Sequence, residues 1–207
     1  MHLILSLGTC LKYCIKMFLC GIDEAGRGPL AGPVYAAAVI LPKEFPVELL
    51  DDSKKLAPLV RDKFKELICS LAISWGIGWA SAAEIDKINI HNATLLAMKR
   101  SFQSMINTGG ENLPSGKIQA VADGLFTPDI GVPCRALVKA DSQVPEVMAA
   151  SILAKTARDR LMEFYGLFYP EYGYERHKGY PTKAHREAIH RWGLSPIQRM
   201  SFKITSS

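Results

Sequence analysis

The order of hydrophobic and polar positions predicts an alternation of strands and helices. Apolar runs of strand length, two of them closed by Pro or Gly signals, lie at 18–23, 34–41, 73–80, 117–122 and 135–139. Helix-spaced apolar positions predict a helix opening at Pro58 and further helices over 82–86, 92–106, 144–165 and 183–192. The segment 170–182 is irregular, aromatic and basic. Strands that alternate with helices in this way predict an α/β domain with a mixed sheet.

Acidic residues fall at the ends of three predicted strands. Asp23, Asp123 and Asp141 each lie at the carboxyl end of a strand or just past it, which is where open α/β sheets bind their ligands. Because adjacent strand residues point to opposite faces, Asp23 and Glu24 can share a site only if the strand stops near Asp23. Taken singly, such acids more often belong to a solvated surface, a turn or a helix N-cap than to an active site.

The carboxylate pair is followed at once by a Gly-Arg-Gly turn, Gly26-Arg27-Gly28. Carboxylate oxygens are preferred ligands of Mg²⁺ and Mn²⁺, and two such ions require several carboxylates. Glycine allows close approach of the backbone to a phosphate or sugar, while arginine supplies a fixed charge. Carboxylates that can bind a metal, next to an arginine that can bind a phosphate, indicate metal-assisted chemistry on a phosphodiester.

Three further segments carry candidate substrate contacts. Lys54 lies in a Ser-Lys-Lys loop and can reach a phosphate. Tyr180 follows a His-Lys-Gly sequence, and an aromatic ring beside basic residues can stack on a sugar or base. One predicted helix carries polar residues about one turn apart: Ser151, Lys155, Arg158 and Asp159. These either pair with one another on an exposed helix face or contact substrate, and Ser151 and Lys155 are taken as substrate-binding candidates.

Composition bounds the class of protein without identifying it. The 207 residues have 48% hydrophobic content, which fits one domain with a hydrophobic core. The net charge of +5 is compatible with a polyanionic partner. The five cysteines lack zinc spacing and are expected to be free thiols in a cytoplasmic protein. Residues 1–16 lack the features of a signal peptide or membrane span, so they are expected to be an extension before a domain over 17–207.

A series of motifs resembles the bacterial type 2 ribonucleases H, the ribonuclease HII family. The matching stretches are GIDEAGRGPLAGPV (21–34), DSKKL (52–56), EIDKINIHNATLLAM (84–98), ADG (122–124), KAD (139–141), AASILAKTARDRLM (149–162) and YPEYGYERHKGYPTKAH (169–185). They cover nearly all of the chain from residue 18 to about residue 202, in the order that the family shows.

The resemblance implies a ribonuclease H-like fold, with a five-stranded mixed sheet flanked by helices and a helical C-terminal part. It implies cleavage of RNA in RNA–DNA hybrids and incision 5′ of single ribonucleotides embedded in duplex DNA, leaving 5′-phosphate and 3′-hydroxyl ends. The implied cofactors are two Mg²⁺ or Mn²⁺ ions. The implied catalytic and metal-binding residues are Asp23, Glu24, Asp123 and Asp141. The implied substrate contacts include Gly26, Arg27 and Gly28 at the ribose 2′-hydroxyl, Tyr180 at the RNA–DNA junction and Lys54 at a phosphate.

The sequence departs from the family pattern at a few positions. Ala140 stands where glycine is usual and is expected to stiffen its turn, Pro181 follows the junction tyrosine, and Gln198 stands where histidine is common. Arg27, in place of lysine, argues against the related ribonuclease HIII. No clamp-binding tail is recognised after Arg199, and a monomer is the default expectation.

Two other functions are weighed against this one. A nucleic-acid-binding protein on the same fold would have no use for acids facing phosphates, so an intact quartet argues against it. A metal-dependent phosphomonoesterase would be supported by the acids alone, without the Gly-Arg-Gly turn. Turnover of hybrids, or release of inorganic phosphate from a small ester, separates the three.

Overall fold

A computed structural model describes residues 17–51, 58–110, 113 and 117–204. Its sheet has five strands: β1 Phe18–Ala25, β2 Val34–Ile40, β3 Ser74–Ala80, β4 Ile118–Asp123 and β5 Cys134–Leu137. Their order is β3-β2-β1-β4-β5. The first three strands pair antiparallel, and β4 and β5 are parallel to β1. The predicted mixed five-stranded sheet is confirmed.

Six α-helices surround this sheet in the described parts of the chain. They are α1 Glu48–Asp51, α2 Pro58–Leu71, α3 Ala82–Gly109, α4 Pro145–Phe168, α5 Tyr174–His177 and α6 Lys183–Trp192. Helix α3 begins with a capping box, in which Ser81 and Glu84 exchange side-chain and backbone hydrogen bonds. No helix among these is both long and apolar enough to cross a bilayer.

The two long helices pack on opposite faces of the sheet. Side chains of β1 such as Cys20 and Ile22 join α3 in one buried cluster. Those of β2 such as Ala37 and Val39 join α4 in another. Because neighbouring residues of a strand alternate between faces, each strand contributes to both layers, which gives the three-layer arrangement expected of an α/β domain.

Gly21 sets how closely α4 approaches β1. A Cβ at this position would lie 2.1 Å from the backbone carbon of Glu146, at the start of α4. Asp23 lies two residues further along the strand, about 6.6 Å, and Ser151 lies about one helical turn further along the helix. The close approach at Gly21 therefore brings Ser151 alongside Asp23.

Most element predictions are confirmed within one to three residues, with three corrections. The pairing of β1 with β2 continues to Ala25, so the strand does not stop near Asp23 as expected. The helices predicted over 82–86 and 92–106 are two segments of α3 that meet at Asn89. The segment predicted to be irregular contains a 3₁₀ turn, Pro170–Tyr172, and the short α5.

Some predictions concern residues outside the described ranges. These are the extension over 1–16 and the phosphate contact of Lys54. The expectation of free thiols agrees with Cys20, Cys69 and Cys134, which form no disulfide in the described residues.

Candidate active site

The parallel pairing of β1 and β4 brings two acids to one edge of the sheet. Ile22 is the register partner of Ala122, so Asp23 and Asp123 follow at the same level on neighbouring strands. The Asp123 Oδ1 atom accepts a hydrogen bond of 2.7 Å from the backbone N–H of Ala140. Asp141 is the next residue, in a 3₁₀ turn. All of the predicted acids therefore come from one edge.

Asp23 is a buried carboxylate, with 5% of its surface exposed. Its Oδ1 accepts a hydrogen bond of 2.7 Å from the Glu24 backbone N–H, and the Ser151 side chain is a further partner. Burial raises the pKa of Asp23 well above its usual range, and repulsion from Glu24 and Asp123 adds to this. A cation bound beside Asp23 would therefore stabilise the charged form of this carboxylate.

Glu24 occupies the opposite face of the strand from Asp23. Its Oε1 lies 3.4 Å from the Arg27 guanidinium. Burial raises the pKa of Glu24, and the attraction of Arg27 offsets only part of that increase. The Glu24 Oε2 atom is buried and has no hydrogen-bond partner, which is costly for a polar atom unless a ligand supplies the missing contact.

These features fit a divalent cation. Buried carboxylates that repel one another and an unpartnered oxygen are what a hard cation would neutralise. Within the described ranges, no three Asp, Glu, His or Cys side chains are already gathered tightly enough to hold an ion. The residues that would hold it are Asp23, Glu24, Asp123 and Asp141, and their side chains would need to converge.

Two buried arginines support the Gly26–Arg27–Gly28 loop, Arg199 through hydrogen bonds and Arg158 by packing against Gly26. Arg199 donates to the carbonyl oxygens of Gly32 at 2.8 Å, Arg27 at 2.9 Å and Gly26 at 2.6 Å. Gly26 has φ of +96°, and a Cβ there would lie 2.0 Å from the Nε of Arg158. Only glycine meets both requirements. The loop is thus rigidly positioned while the Arg27 side chain remains half exposed.

Tyr180 lies directly against this loop. A Cβ on Gly28 would lie 3.7 Å from the Tyr180 ring, an ordinary contact. The backbone joins the two segments through a hydrogen bond of 2.8 Å from Leu30 N–H to the Gly179 carbonyl. The cationic groups of Lys155 and Arg158 lie 5.9 and 6.0 Å from the ring centroid, within the range of cation–π attraction.

The four polar residues of α4 have different roles. Ser151 contacts Asp23, and Lys155 pairs with Asp159 at 2.8 Å. The helix therefore has both an intrahelical ion pair and a residue that contacts the acids of the site. Arg158 is buried and donates to the carbonyls of Pro33 and Ala31 at 3.0 and 3.2 Å.

The departures at Ala140 and Pro181 are accommodated by the local backbone. Ala140 is fully buried, and the left-handed residue of that turn is Lys139, with φ of +58°. Pro181 needs no N–H donor, because the turn is closed by Thr182, whose N–H donates to the Tyr180 carbonyl at 2.8 Å. Tyr180 also accepts at this carbonyl from His185 Nδ1 at 3.0 Å.

Sequence reasoning missed the role of Arg199. This residue is fully buried and lies more than 160 positions from the loop that it holds. No local pattern signals such a contact; the only hint is a single arginine within an otherwise uncharged stretch, 192–202. The buried role of Arg158 was likewise hidden by its helical spacing.

The strand order, with helices packed on both faces of the sheet, is that of the ribonuclease H-like fold class. Known structures agree: the ribonuclease H2 of Pyrococcus horikoshii superposes with a TM-score of 0.72 at 25% identity, covering 91% of this chain and 95% of that one. The ribonuclease HII in a PCNA complex from Archaeoglobus fulgidus gives 0.73 at 25% identity, covering 92% and 98%.

The sequence comparison is more specific. The family model described as Ribonuclease HII matches residues 20–205. A Ribonuclease HII of Treponema denticola is 56% identical over 192 residues, which cover 89% of this chain and 97% of that protein. The chain belongs to the ribonuclease HII family, and it is a hydrolase of the type 2 ribonuclease H class.

Proposed function

We propose that this enzyme cuts the RNA strand of RNA–DNA hybrids and incises on the 5′ side of single ribonucleotides embedded in duplex DNA. The products would carry 5′-phosphate and 3′-hydroxyl ends. The observation that supports this most is the contact between two substrate-reading parts: the Gly26–Arg27–Gly28 loop, beside the acids, and Tyr180, packed on Gly28. Membership of the ribonuclease HII family supports the substrate class.

Discrimination of ribose from deoxyribose follows from this contact. Only RNA carries a 2′-hydroxyl, so a rigid loop with exposed backbone beside a sugar-stacking ring can select ribose without reading a base. Arg199 holds the loop from its buried side, so the solvent-facing side remains available to substrate. Lys155 and Arg27 add positive charge for phosphates, so binding should weaken as salt rises.

The acids would hold Mg²⁺ or Mn²⁺, two ions in all. When bound, these ions supply charge neutralisation at the attacking and leaving oxygens of the phosphodiester. Ser151 orients the Asp23 carboxylate, and the Ala140 N–H orients that of Asp123. The catalytic domain would extend over 17–207 with its C-terminal helical segment, as a monomer in the cytoplasm.

The experiment compares acid variants on a labelled duplex with one ribonucleotide. Asp23→Asn and Asp141→Asn should each abolish cleavage while duplex binding persists, because the fold and the phosphate contacts remain. Asp129→Asn is the matched control, since that acid is 93% exposed and pairs only with a surface lysine in the described contacts. Cleavage that survives both site variants would overturn the proposal.

A second comparison tests the loop. Arg27→Ala should reduce cutting at a single embedded ribonucleotide at least as much as it reduces duplex binding. Arg176→Ala, at an arginine that is 86% exposed, should leave both unchanged. If Arg27→Ala cuts as the wild type does, the assignment of this loop to 2′-hydroxyl recognition is wrong.

A further inference from the structure

Helix α3 contains a strained break beside the active site. Asn89 has φ of +65° and ψ of +165° inside this helix, a region that side chains other than glycine rarely adopt. Its side-chain oxygen accepts a hydrogen bond of 3.1 Å from the Asn92 N–H, which restarts the helix. Glu84 and Arg100, one from each side of the break, form an ion pair of 2.7 Å. The break is therefore braced and persists despite its strain.

The break places His91 against the turn that follows β4. The His91 and Phe126 rings meet edge to face, with centroids 4.4 Å apart. Phe126 is 54% exposed and its neighbour Leu125 is 74% exposed. Large apolar side chains that project together from a turn, one of them packed on a ring of a braced helix, are typical of a surface that another molecule covers. His91, Leu125 and Phe126 are called the α3-side wall below.

The α3-side wall shares a cleft with the site itself. Arg27 and Asp123 line the same cleft as the three wall residues. The cleft encloses only about 20 Å³, roughly the room of one water molecule, so the edge of a sugar or base fits against it and a whole base does not enter. An apolar and aromatic surface next to an arginine and a carboxylate matches the chemistry of a nucleotide.

The wall and Tyr180 lie on opposite sides of the acids. His91 belongs to α3, which packs on the face of the sheet that Ile22 enters. Tyr180 lies near Lys155 and Arg158 of α4, on the face of Asp23 and Ser151. A strand of substrate that crosses the acids would therefore meet Tyr180 on one side of the scissile phosphate and the wall on the other.

We propose that the α3-side wall binds the sugar and base of the nucleotide on the opposite side of the scissile phosphate from the one that Tyr180 contacts. This inference rests on the proposed function, since it assumes that the acids act on a duplex containing ribose. It assigns to Phe126 and Leu125 the role of fixing the register of the strand, with His91 supporting the Phe126 ring.

Binding measured by fluorescence anisotropy in chelator tests the wall without turnover. The probes are a duplex with one ribonucleotide and two copies in which the neighbouring base is removed on the 5′ or the 3′ side. Phe126→Ala should raise Kd for the intact duplex about five- to tenfold, the low end for an aromatic–base contact. On one of the two abasic duplexes the same variant should change Kd less than about twofold, because the partner base is already absent.

Controls separate this effect from loss of folding. Phe168→Ala, on a ring that is 62% exposed at the end of α4, should bind all three duplexes as the wild type does, while Phe126→Tyr should retain tight binding. Leu125→Ala should show the same base-dependent pattern with a smaller effect. An equal change on all three duplexes, or none, for both Phe126→Ala and Leu125→Ala would overturn the proposal. If the wild type shows base-dependent binding but does not cut, the proposed cleavage activity is refuted and the binding role of the wall is not.

Discussion

Replacement of Arg199 by methionine is expected to loosen the substrate loop and the fold together. Arg199 is 0% exposed and donates to three carbonyl oxygens, those of Gly26, Arg27 and Gly32. Removing one partner of a buried charged network costs about 3–5 kcal/mol, because the remaining polar groups lose their contacts. At about 2–4 °C per kcal/mol for a chain of this size, Tm should fall by about 6–20 °C.

Thermal unfolding and cleavage, both measured at a temperature where circular dichroism shows the variant folded, test this expectation. Arg199→Met should cut the single-ribonucleotide duplex much more slowly than its folded fraction explains, since the loop is no longer positioned. Arg199→Lys should recover only part of either property, because one ammonium cannot serve three carbonyls in a fixed fork. Arg191→Met, at an exposed arginine over the Trp192 ring, should shift stability by less than about 0.5 kcal/mol. Wild-type Tm and cutting in Arg199→Met would refute the reasoning.

Three further expectations follow from the same contacts. Gly26→Ala should lower Tm and activity, because Gly26 has a positive φ and an added Cβ would lie only 2.0 Å from an arginine. Gly28→Ala should keep the wild-type Tm, since a Cβ there would make only ordinary contacts. Equal losses of Tm in the two variants would contradict this. Asp23→Asn should raise Tm in chelator at neutral pH while it abolishes cutting, because burial and neighbouring acids raise the pKa of this carboxyl, so that its charged form destabilises the fold; a lower Tm would contradict it. His177 and His185, stacked at 4.6 Å, have pKa values lowered by burial, so the unfolded chain binds more protons below about pH 6.5. The histidine contribution, measured as the urea midpoint of the wild type minus that of His185→Gln, should be constant above that pH and fall below it.

Much of the fold was predictable because its signals are local. Continuous apolar runs identified the buried strands. The acids at strand ends were predictable as one site, because the parallel pairing of β1 and β4 places Asp23 and Asp123 side by side. Tyr180 was proposed from its basic neighbours in the sequence, and in the folded chain its ring lies beside Gly28. Alternation and strand-end position are short-range properties, so one chain suffices to show them.

The parts that escaped prediction depend on long-range contacts. Arg199 and Arg158 resemble surface charges in the sequence, and only the folded chain shows that they hold backbone carbonyls. The break at Asn89 has no proline or glycine to announce it. The continuation of β1 through Glu24 was missed because its hydrogen bonds go to β2 alone beyond Ile22, an edge effect that residue preferences do not encode.

The most direct test of the central claim is cleavage of a labelled DNA duplex that carries one ribonucleotide, with Mg²⁺, with Mn²⁺ and with chelator. A cut on the 5′ side of the ribonucleotide that requires metal and disappears in Asp23→Asn is the predicted result. Cutting only within longer RNA–DNA hybrids would contradict the assignment of Gly26–Arg27–Gly28 and Tyr180 to recognition of a single ribose. Binding of both substrates with no cutting in either metal would contradict the proposed activity as a whole.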